Sequence, residues 1–308
     1  MADAALTVRP RRPRGQSRRE AWAHRLFVTP SVLTLLILGL YPLLFIIAAA
    51  LSESTLGKPF QSWVGADTLA AVLGDADTVA AFLRTVVYAL GVSLASLVLG
   101  VVVALALQSA VRGGSLVRTL VLLPMFMPPV VVGTLWKLVY NSGGGLLATV
   151  VGFFGGDRQA VAPLSSTSWA MPAIGLADVW EWTPLVALLV FTALVAQDHE
   201  IVEAARLDGA HGFRLFWSVT LPSIAGVLAA AFFIRLVLAF KVFDLVFMMT
   251  SGGPGQATTT SSYEIYQAVV REFDVGKAAA ITLVLAVIVT IVTIPVALIT
   301  RRLQANHE

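Results

Sequence analysis

Long apolar runs alternate with short polar segments along almost the whole chain. Six of these runs approach or exceed the roughly 20 residues that an α-helix needs to cross the hydrocarbon core of a bilayer. They cover about residues 26–51, 79–107, 116–140, 170–196, 222–250 and 277–300. The pattern therefore predicts an all-α polytopic membrane protein with six transmembrane helices.

Prolines interrupt several of the predicted spans. Pro42 lies inside the first span and predicts a kink, whereas Pro124, Pro128 and Pro129 are expected to break the third. The segments between the spans are predicted as loops, and the longest of these cover residues 52–78, 141–169 and 251–276.

The composition supports a membrane location, because 57% of the 308 residues are hydrophobic and only 13% are charged, whereas a soluble domain has about 25% charged residues. Cytoplasmic segments of membrane proteins carry an excess of Lys and Arg. With the N-terminus inside, thirteen of these cations fall in inner segments and five in outer ones. The charge bias therefore predicts that both termini are cytoplasmic.

The first 25 residues form an arginine-rich arm. Such an arm can bind nucleic acid, but beside a membrane span it favours the cytoplasmic side and contact with anionic lipids. We therefore expect three regions: a basic arm (1–25), a transmembrane domain (26–301) and a cytoplasmic tail (302–308). The chain has no cysteine, and its four histidines lie in polar segments, so neither a metal site nor catalysis is predicted.

A polar, glycine-containing stretch, residues 203–222, interrupts the apolar C-terminal half. Asp198 is a candidate N-cap for a first short helix built from good helix formers. Gly209 and Gly212 allow the chain to turn, after which residues 213–219 can form a second short helix. We expect two short helices joined by a bend, on the cytoplasmic side between the fourth and fifth spans.

The same stretch resembles the EAA loop of permease subunits of ATP-binding-cassette importers. The family pattern is Glu-Ala-Ala, three residues, Gly, nine residues, Ile, one residue and Leu-Pro, and the matching positions here are Glu203-Ala204-Ala205, Gly209, Val219 (in place of Ile) and Leu221-Pro222. Further likeness to the carbohydrate-type subgroup lies in Asp208-Gly209, Phe243-Asp244 and Thr250-Ser251-Gly252-Gly253-Pro254. The resemblance implies a type I importer permease fold in which residues 197–222, the coupling segment, contact an ATPase.

In this family the EAA loop sits in a cleft of the ATPase subunit. The resemblance therefore implies that partner subunits bind ATP and Mg²⁺, and that this chain is a non-catalytic subunit without a cofactor. The sequence contains no Gly-x4-Gly-Lys-Ser/Thr loop that could cradle the phosphates of ATP. The implied ATPase-coupling residues are Glu203, Ala204, Ala205, Arg206, Asp208 and Gly209.

Ionisable and aromatic residues within the spans indicate where a solute could bind. Charged groups inside a bilayer are costly and usually functional, and aromatic faces beside hydrogen-bonding groups suit sugar rings. An interfacial aromatic belt is an equal alternative for Trp136 and Tyr140, and Lys241 could simply neutralise Asp244 three residues away. The candidate substrate-binding residues are Trp136, Tyr140, Trp180, Glu181, Lys241, Phe243 and Asp244.

Six helices are few for a solute pathway. We therefore expect a second permease subunit that forms a heterodimer with this chain. The resemblance implies two ATP-binding-cassette ATPase subunits and an extracytoplasmic solute-binding protein, assembled in the bacterial cytoplasmic (inner) membrane. The leading hypothesis is an importer for a sugar-like solute, and a permease for a polyol phosphate or an amino acid is the alternative. A secondary transporter would need internal repeats or acidic relays, and a membrane enzyme would need a nucleophile or a metal site; the sequence supports neither.

Overall fold

The computed structural model describes residues 18–109 and 114–305. The chain separates into two compact units at the boundary between Ala48 and Ala49. The elements in chain order are α1 (Arg18–Ala50), β1 (Ser52–Glu53), β2 (Ser62–Trp63), α2 (Asp67–Gly74), α3 (Ala76–Ser109), α4 (Gly114–Leu122), α5 (Pro129–Val139), α6 (Leu146–Phe153), α7 (Ala170–Val195), α8 (His199–Leu207), α9 (Gly212–Leu215), α10 (Leu221–Ser223), α11 (Ala225–Ala239), α12 (Asp244–Met249), α13 (Ser261–Val270) and α14 (Val275–Ala305). The two strands pair antiparallel, with Ser52 opposite Trp63.

Both predicted terminal regions fall partly outside the described residues. Residues 1–17 of the arginine-rich arm are outside them, and residues 18–25 already belong to α1. Residues 306–308 of the predicted tail, and Arg112 in the turn before the third span, are outside them as well.

Within the described residues, four helices are long and apolar enough to cross a membrane, and they are found at Phe27–Ala50, Ala76–Gln108, Ala170–Val195 and Val275–Leu303. Two further apolar stretches consist of helix pairs that bend sharply at a short break. The angles are 99° between residues 116–126 and 129–139, and 71° between residues 212–223 and 225–239. Counting each bent pair as one span gives the six spans that the hydropathy pattern predicts.

The prolines of the third span act as the sequence predicts. A 3-10 turn, Leu123–Phe126, follows α4, and Pro128 then takes an extended conformation, with ψ of 137°. Pro129 begins α5, where its missing amide hydrogen leaves no carbonyl unpaired. Pro42, in contrast, stays within the continuous helix α1.

The prediction of one continuous fifth span over residues 222–250 is wrong. α11 ends at Ala239, the backbone leaves the helix, and α12 begins only at Asp244. Neither proline nor glycine lies at this break. Its carbonyl groups are instead bonded by a distant loop, since the hydroxyl of Thr260 donates to the carbonyl oxygen of Val242 at 3.2 Å. Tertiary hydrogen bonds therefore replace the helical ones.

Three of the segments predicted as loops contain short helices, so those predictions are also corrected. α2 lies within residues 52–78, α6 within residues 141–169 and α13 within residues 251–276. Each helix buries an apolar or aromatic side chain, and these are Val72, Ala148 and Tyr263 respectively. Packing thus makes helices from segments too short to be stable alone.

The core of the second unit is built around α3 and α7, which pack along each other. Their backbones come close at Gly100, where an added Cβ atom would lie 2.6 Å from Cγ1 of Val186. Small residues permit this close approach of helices in membranes. A buried apolar cluster formed by α3, α5, α7, α11, α12 and α13 continues along the bundle and includes Val92, Val132, Ile174, Leu236 and Val246.

Candidate functional site

The coupling segment begins with a capped helix. Asp198 has an extended backbone, and its Oδ1 accepts a hydrogen bond of 2.9 Å from the backbone N–H of Glu200. This satisfies one of the free donors at the start of α8. Asp198 is therefore the N-cap that the sequence predicts.

A tight turn separates α8 from the next helix. Gly209 and Gly212 have φ angles of +85° and +53°, a region that residues with a Cβ atom rarely adopt. The backbone N–H of Ala210 donates to the carbonyl oxygen of Ala205 at 2.9 Å and closes the end of α8. The predicted bend at these glycines is thus present.

The second half of the coupling segment is one continuous helical stretch. α9 passes through a π-helical turn, Phe216–Thr220, into α10, and a bend then leads to α11. The ring of Trp217 lies 5.8 Å from the rings of both Phe213 and Phe216. The ring of Trp217 therefore packs against both phenylalanine rings.

The predicted ATPase-coupling residues lie on the surface. Ala205 is half-buried, and the exposed members are Glu203, Ala204, Arg206, Asp208 and Gly209. Leu207, between them, is 90% exposed. A groove of about 1180 Å³ separates the segment from the ends of α3 and α7, and Glu203 and Arg206 belong to its lining. Charged and apolar surface is therefore available to a partner.

Three of the predicted substrate-binding residues meet in the structure. The ring of Trp136 on α5 lies 5.3 Å from the ring of Tyr140 and 5.9 Å from the ring of Trp180 on α7. Trp180 remains 39% exposed. The hydroxyl of the buried Tyr140 donates to the carbonyl oxygen of Ala173 at 3.1 Å, which fixes the phenol ring. The trio offers an aromatic surface between α5 and α7.

Glu181 lies deeper than these rings. Only 1% of its surface is exposed, and its Oε2 atom has no hydrogen-bond partner among the described residues. Asp178, Arg235 and Asp244 all interact electrostatically with this carboxyl group. A buried carboxylate oxygen without a hydrogen-bond donor costs free energy. Glu181 is therefore the predicted substrate-binding residue that most needs a hydrogen-bond donor.

The remaining candidates are more scattered. Lys241 is exposed, Asp244 is half-buried, and the two do not form an ion pair with each other within the described part of the chain. The ring of Phe243 lies 5.5 Å from that of Phe247 and 5.3 Å from that of Tyr266. Phe243 therefore belongs to an aromatic cluster with α12 and α13, apart from the Trp136 trio.

A buried polar network that the sequence did not predict connects α3, α7 and α11. Arg235 donates from Nη2 to Oδ2 of Asp178 at 2.6 Å and from Nε to Oγ of Ser96 at 3.3 Å. The hydroxyl of Tyr88 donates to the same carboxylate oxygen at 3.0 Å. Arg235 and Asp178 are 1% and 4% exposed. The signal for Asp178 was present, because it lies inside a span three residues before Glu181.

A second group of charges lies at the end of the bundle opposite the coupling segment. The hydroxyl of Thr78 is hydrogen bonded to Asp75 at 2.8 Å and also to Glu264 on α13. The bond to Thr78 lowers the pKa of the Asp75 carboxyl. Burial raises the pKa of Glu264, although the Thr78 bond and the charge of Lys277 act in the opposite direction. One hydroxyl thus links α13 to the start of α3.

Comparison with known proteins identifies the family. Residues 96–305 match the family described as binding-protein-dependent transport system inner membrane component. The chain belongs to this family. The match includes the whole coupling segment and confirms the family prediction made from its sequence motif.

Several relatives in this transport family are similar over nearly the whole chain. A "Probable ABC transporter permease protein y4oQ" of Sinorhizobium fredii is 32% identical over 272 residues, 87% of each chain. The trehalose/maltose transport system permease protein MalF of Thermococcus litoralis is 32% identical and covers 90% of this chain and 94% of its own. The sn-glycerol-3-phosphate transport system permease protein UgpA of Escherichia coli O157:H7 is 30% identical, with coverage of 90% and 93%.

A solved structure supports the fold. A chain from a bacterial ABC transporter involved in the import of the acidic polysaccharide alginate superposes with a TM-score of 0.80 at 21% identity, covering 92% of this chain and 96% of that one. The type I importer permease fold is thereby confirmed. The family match and the relatives confirm the predictions of a permease subunit and of the inner membrane. The chain is a transmembrane subunit of a binding-protein-dependent transport system.

Proposed function

We propose that this chain forms half of the translocation pathway of an ATP-driven importer for a sugar or sugar-like solute, and that its coupling segment docks onto ATPase subunits. The observation that carries the proposal is the exposed helix–turn–helix of α8 and α9. It directly follows α7 and leads through a bend into α11. A partner protein bound to this projection would therefore act on both α7 and α11.

The exposed chemistry of the coupling segment suits a protein partner. Ala204 lets another backbone come close, and the carboxylates of Glu203 and Asp208 are short-reach acceptors for basic side chains. Phe213 is 78% exposed and, like Leu207, would fill an apolar recess of the partner.

The energy source lies on other subunits in this proposal. Two ATPase subunits would bind ATP and Mg²⁺, because the sequence of this chain has no phosphate-binding loop. Their closure would move the coupling segment and shift the spans between states open to alternate sides. The excess of Arg and Lys in the segments on the coupling side supports a cytoplasmic location for the segment and both termini.

The aromatic trio supports a sugar-like solute. Trp136, Tyr140 and Trp180 supply ring faces on which the C–H faces of a sugar can stack. Glu181 has a carboxylate oxygen to bond a hydroxyl group, and Phe243 and Asp244 lie where the fifth span is broken. A broken helix exposes backbone groups that can line a pathway.

A phosphorylated polyol is the second candidate solute. Lys241 is exposed and has no carboxylate partner among the described residues, so it could pair with an anionic group. One relative matches this chemistry by name, the permease protein UgpA of an sn-glycerol-3-phosphate transport system.

The assembly that we propose contains a second, distinct permease subunit, two ATPase subunits and an extracytoplasmic solute-binding protein. The family description names a binding-protein-dependent system. The alginate transporter has been solved in complex with a periplasmic protein bound to an alginate pentasaccharide. Membrane lipids surround the remaining apolar surface.

Reversal of one charge in the coupling segment tests the docking role. We expect Glu203→Lys to reduce transport by at least about tenfold and to abolish co-purification of the ATPase subunits, because a lysine would repel a basic partner surface. The amount of the chain in the membrane should not change, since Glu203 is exposed. Solute uptake, pull-down and membrane yield are measured together.

Glu200→Lys is the matched control, since Glu200 is exposed on the same helix but lies outside the motif. It should retain ATPase binding and most of the transport. If Glu203→Lys retains both transport and the ATPase subunits, the docking assignment is wrong.

A further inference from the structure

The short helix α6 presents an apolar surface outside the six spans. Its exposed side chains include Leu146, Val150 and Phe153, at 64%, 44% and 83% exposure, and Phe154 directly after the helix is 82% exposed. The two phenylalanine rings pack edge to face at 5.4 Å. No charged residue occurs between positions 141 and 156.

The opposite face of α6 holds the helix to the bundle. Ala148 is buried, and Leu147 packs against the main apolar cluster. The outward face of α6 therefore remains free. Several exposed side chains, and not a single one, make this face apolar. An apolar patch of this kind on a folded protein usually marks an interaction surface.

The patch continues the apolar surface of a membrane-crossing segment. A groove of about 500 Å³ is lined by Leu135 and Leu138 of α5 together with Leu146 of α6. Leu135 and Leu138 are 41% and 60% exposed. Only residues 140–145 separate the two helices, so α6 starts at the level where the third span ends.

A cation lies beside the aromatic pair. The chain turns at Gly155, where φ is +83°, and the side chain of Arg158 returns to lie against Gly152 of α6. Interfacial helices place apolar side chains such as phenylalanine among the acyl chains. Their cationic side chains, such as arginine, lie among the headgroups.

We propose that α6 is an interfacial helix that lies in the headgroup boundary of the bilayer, with Val150, Phe153 and Phe154 toward the acyl chains. A lipid surface fits the patch better than a protein does. One helix of 8 residues can bury only a few hundred Å², whereas a stable protein interface needs about 1,200–2,000 Å². Interfacial binding strengthens with the apolar surface buried, and α6 adds to the apolar surface that the third span already exposes.

Site-directed spin labelling tests the proposal, and the chain is suited to it because it contains no cysteine. Single variants Val150→Cys, Phe153→Cys and Phe154→Cys carry a nitroxide in the full transporter in lipid vesicles. The rate at which the nitroxide collides with oxygen, which concentrates in lipid, is measured at each position. It is compared with the rate at which the same nitroxide collides with a water-soluble nickel chelate. The unsubstituted chain gives the background from partner subunits.

The expected result is an oxygen rate that exceeds the nickel rate several-fold at all three positions. Gln159→Cys, in the exposed loop that follows, should show the reverse, and Ala148→Cys, on the buried face, should be shielded from both reagents. Nickel-dominated rates at the three positions, as at 159, would overturn the proposal. Shielding from both reagents, as at 148, would also overturn it and would assign the patch to another protein. Three separate labels keep the test decisive if one variant folds poorly.

Discussion

α7 and α8 follow each other in the chain but are held in place by different forces. α7 buries 14 of its 26 residues and contributes Asp178 to a fully enclosed polar network. No residue of α8 whose side chain the structure describes is buried, and the helix is defined by the Asp198 cap and the turn at Gly209. Tertiary packing stabilises the first helix, and local capping stabilises the second.

The different stabilisation of α7 and α8 matches two different requirements of a transport subunit. A span must remain folded through every cycle, and packing of α7 against α3 and α11 provides this. A coupling element must leave its surface free for a partner, so its shape has to come from bonds within the segment itself. Changes in α7 should therefore affect folding, whereas changes in α8 should affect coupling.

The largest expected effect comes from breaking the buried ion pair. Arg235→Met leaves the Asp178 carboxylate without its partner at 2.6 Å, and removing one member of such a pair costs about 3–5 kcal/mol. We expect the yield of folded protein and its melting temperature in detergent to fall sharply. The double variant Arg235→Met with Asp178→Leu should recover part of this loss, because the Asp178 carboxylate is then no longer left without its partner.

The same substitution in the coupling segment is the control. Arg214→Met removes an exposed arginine, and its melting temperature should match that of the unchanged protein. If Arg214→Met and Arg235→Met lowered the melting temperature equally, the distinction between the packed and the exposed region would be wrong.

A smaller effect is expected from one added methyl group. Gly100→Ala places a Cβ atom 2.6 Å from Cγ1 of Val186, and such overpacking costs about 1–3 kcal/mol. Gly91→Ala, on the same helix, has no heavy atom within 4 Å of its new Cβ and should be neutral or slightly stabilising. Thermal unfolding of both variants in the same detergent measures the difference. A Gly100→Ala protein as stable as Gly91→Ala would show that α3 and α7 are less closely packed than described.

The smallest expected effect concerns pH and the link between α13 and α3. Because burial raises the pKa of Glu264 above its ordinary 4.5, the folded state holds this proton more tightly than the unfolded chain. The resulting stability is present at low pH and is lost as the pH rises through the raised pKa. Glu264→Gln should flatten this decline in melting temperature as the pH rises above 4.5.

Asp75→Asn should alter the profile with the opposite sign. The pKa of Asp75 is lowered from 3.8, so its contribution is present at neutral pH and is lost as the pH falls. Profiles that coincide for both variants and the unchanged protein would contradict the role of these two carboxyl groups.

Features that depend on local chemistry were predictable from the sequence. The N-cap at Asp198, the turn at Gly209 and the break at Pro128 and Pro129 each follow from the properties of the residues at that point. The six apolar runs were predictable as well, because span length is set by the thickness of the bilayer.

Features that depend on contacts between distant residues were not predictable. The break after Ala239 contains no helix breaker, and two of its carbonyl groups accept hydrogen bonds from Thr260 and Ser262 at the start of α13. α6 was hidden because its 8 residues are flanked by glycines and are too few for a clear helical period. Asp178 could be suspected from its place in a span, but its pairing with Arg235 requires the tertiary arrangement of α7 and α11.

The ion pair between Asp178 and Arg235 also bears on how force travels. α7 and α11 are the two roots of the coupling segment, one entering it and one leaving it. The pair joins the two helices inside the bundle, at positions 178 and 235. In the proposed coupling role we therefore expect α7 and α11 to move together when a partner acts on the segment between them.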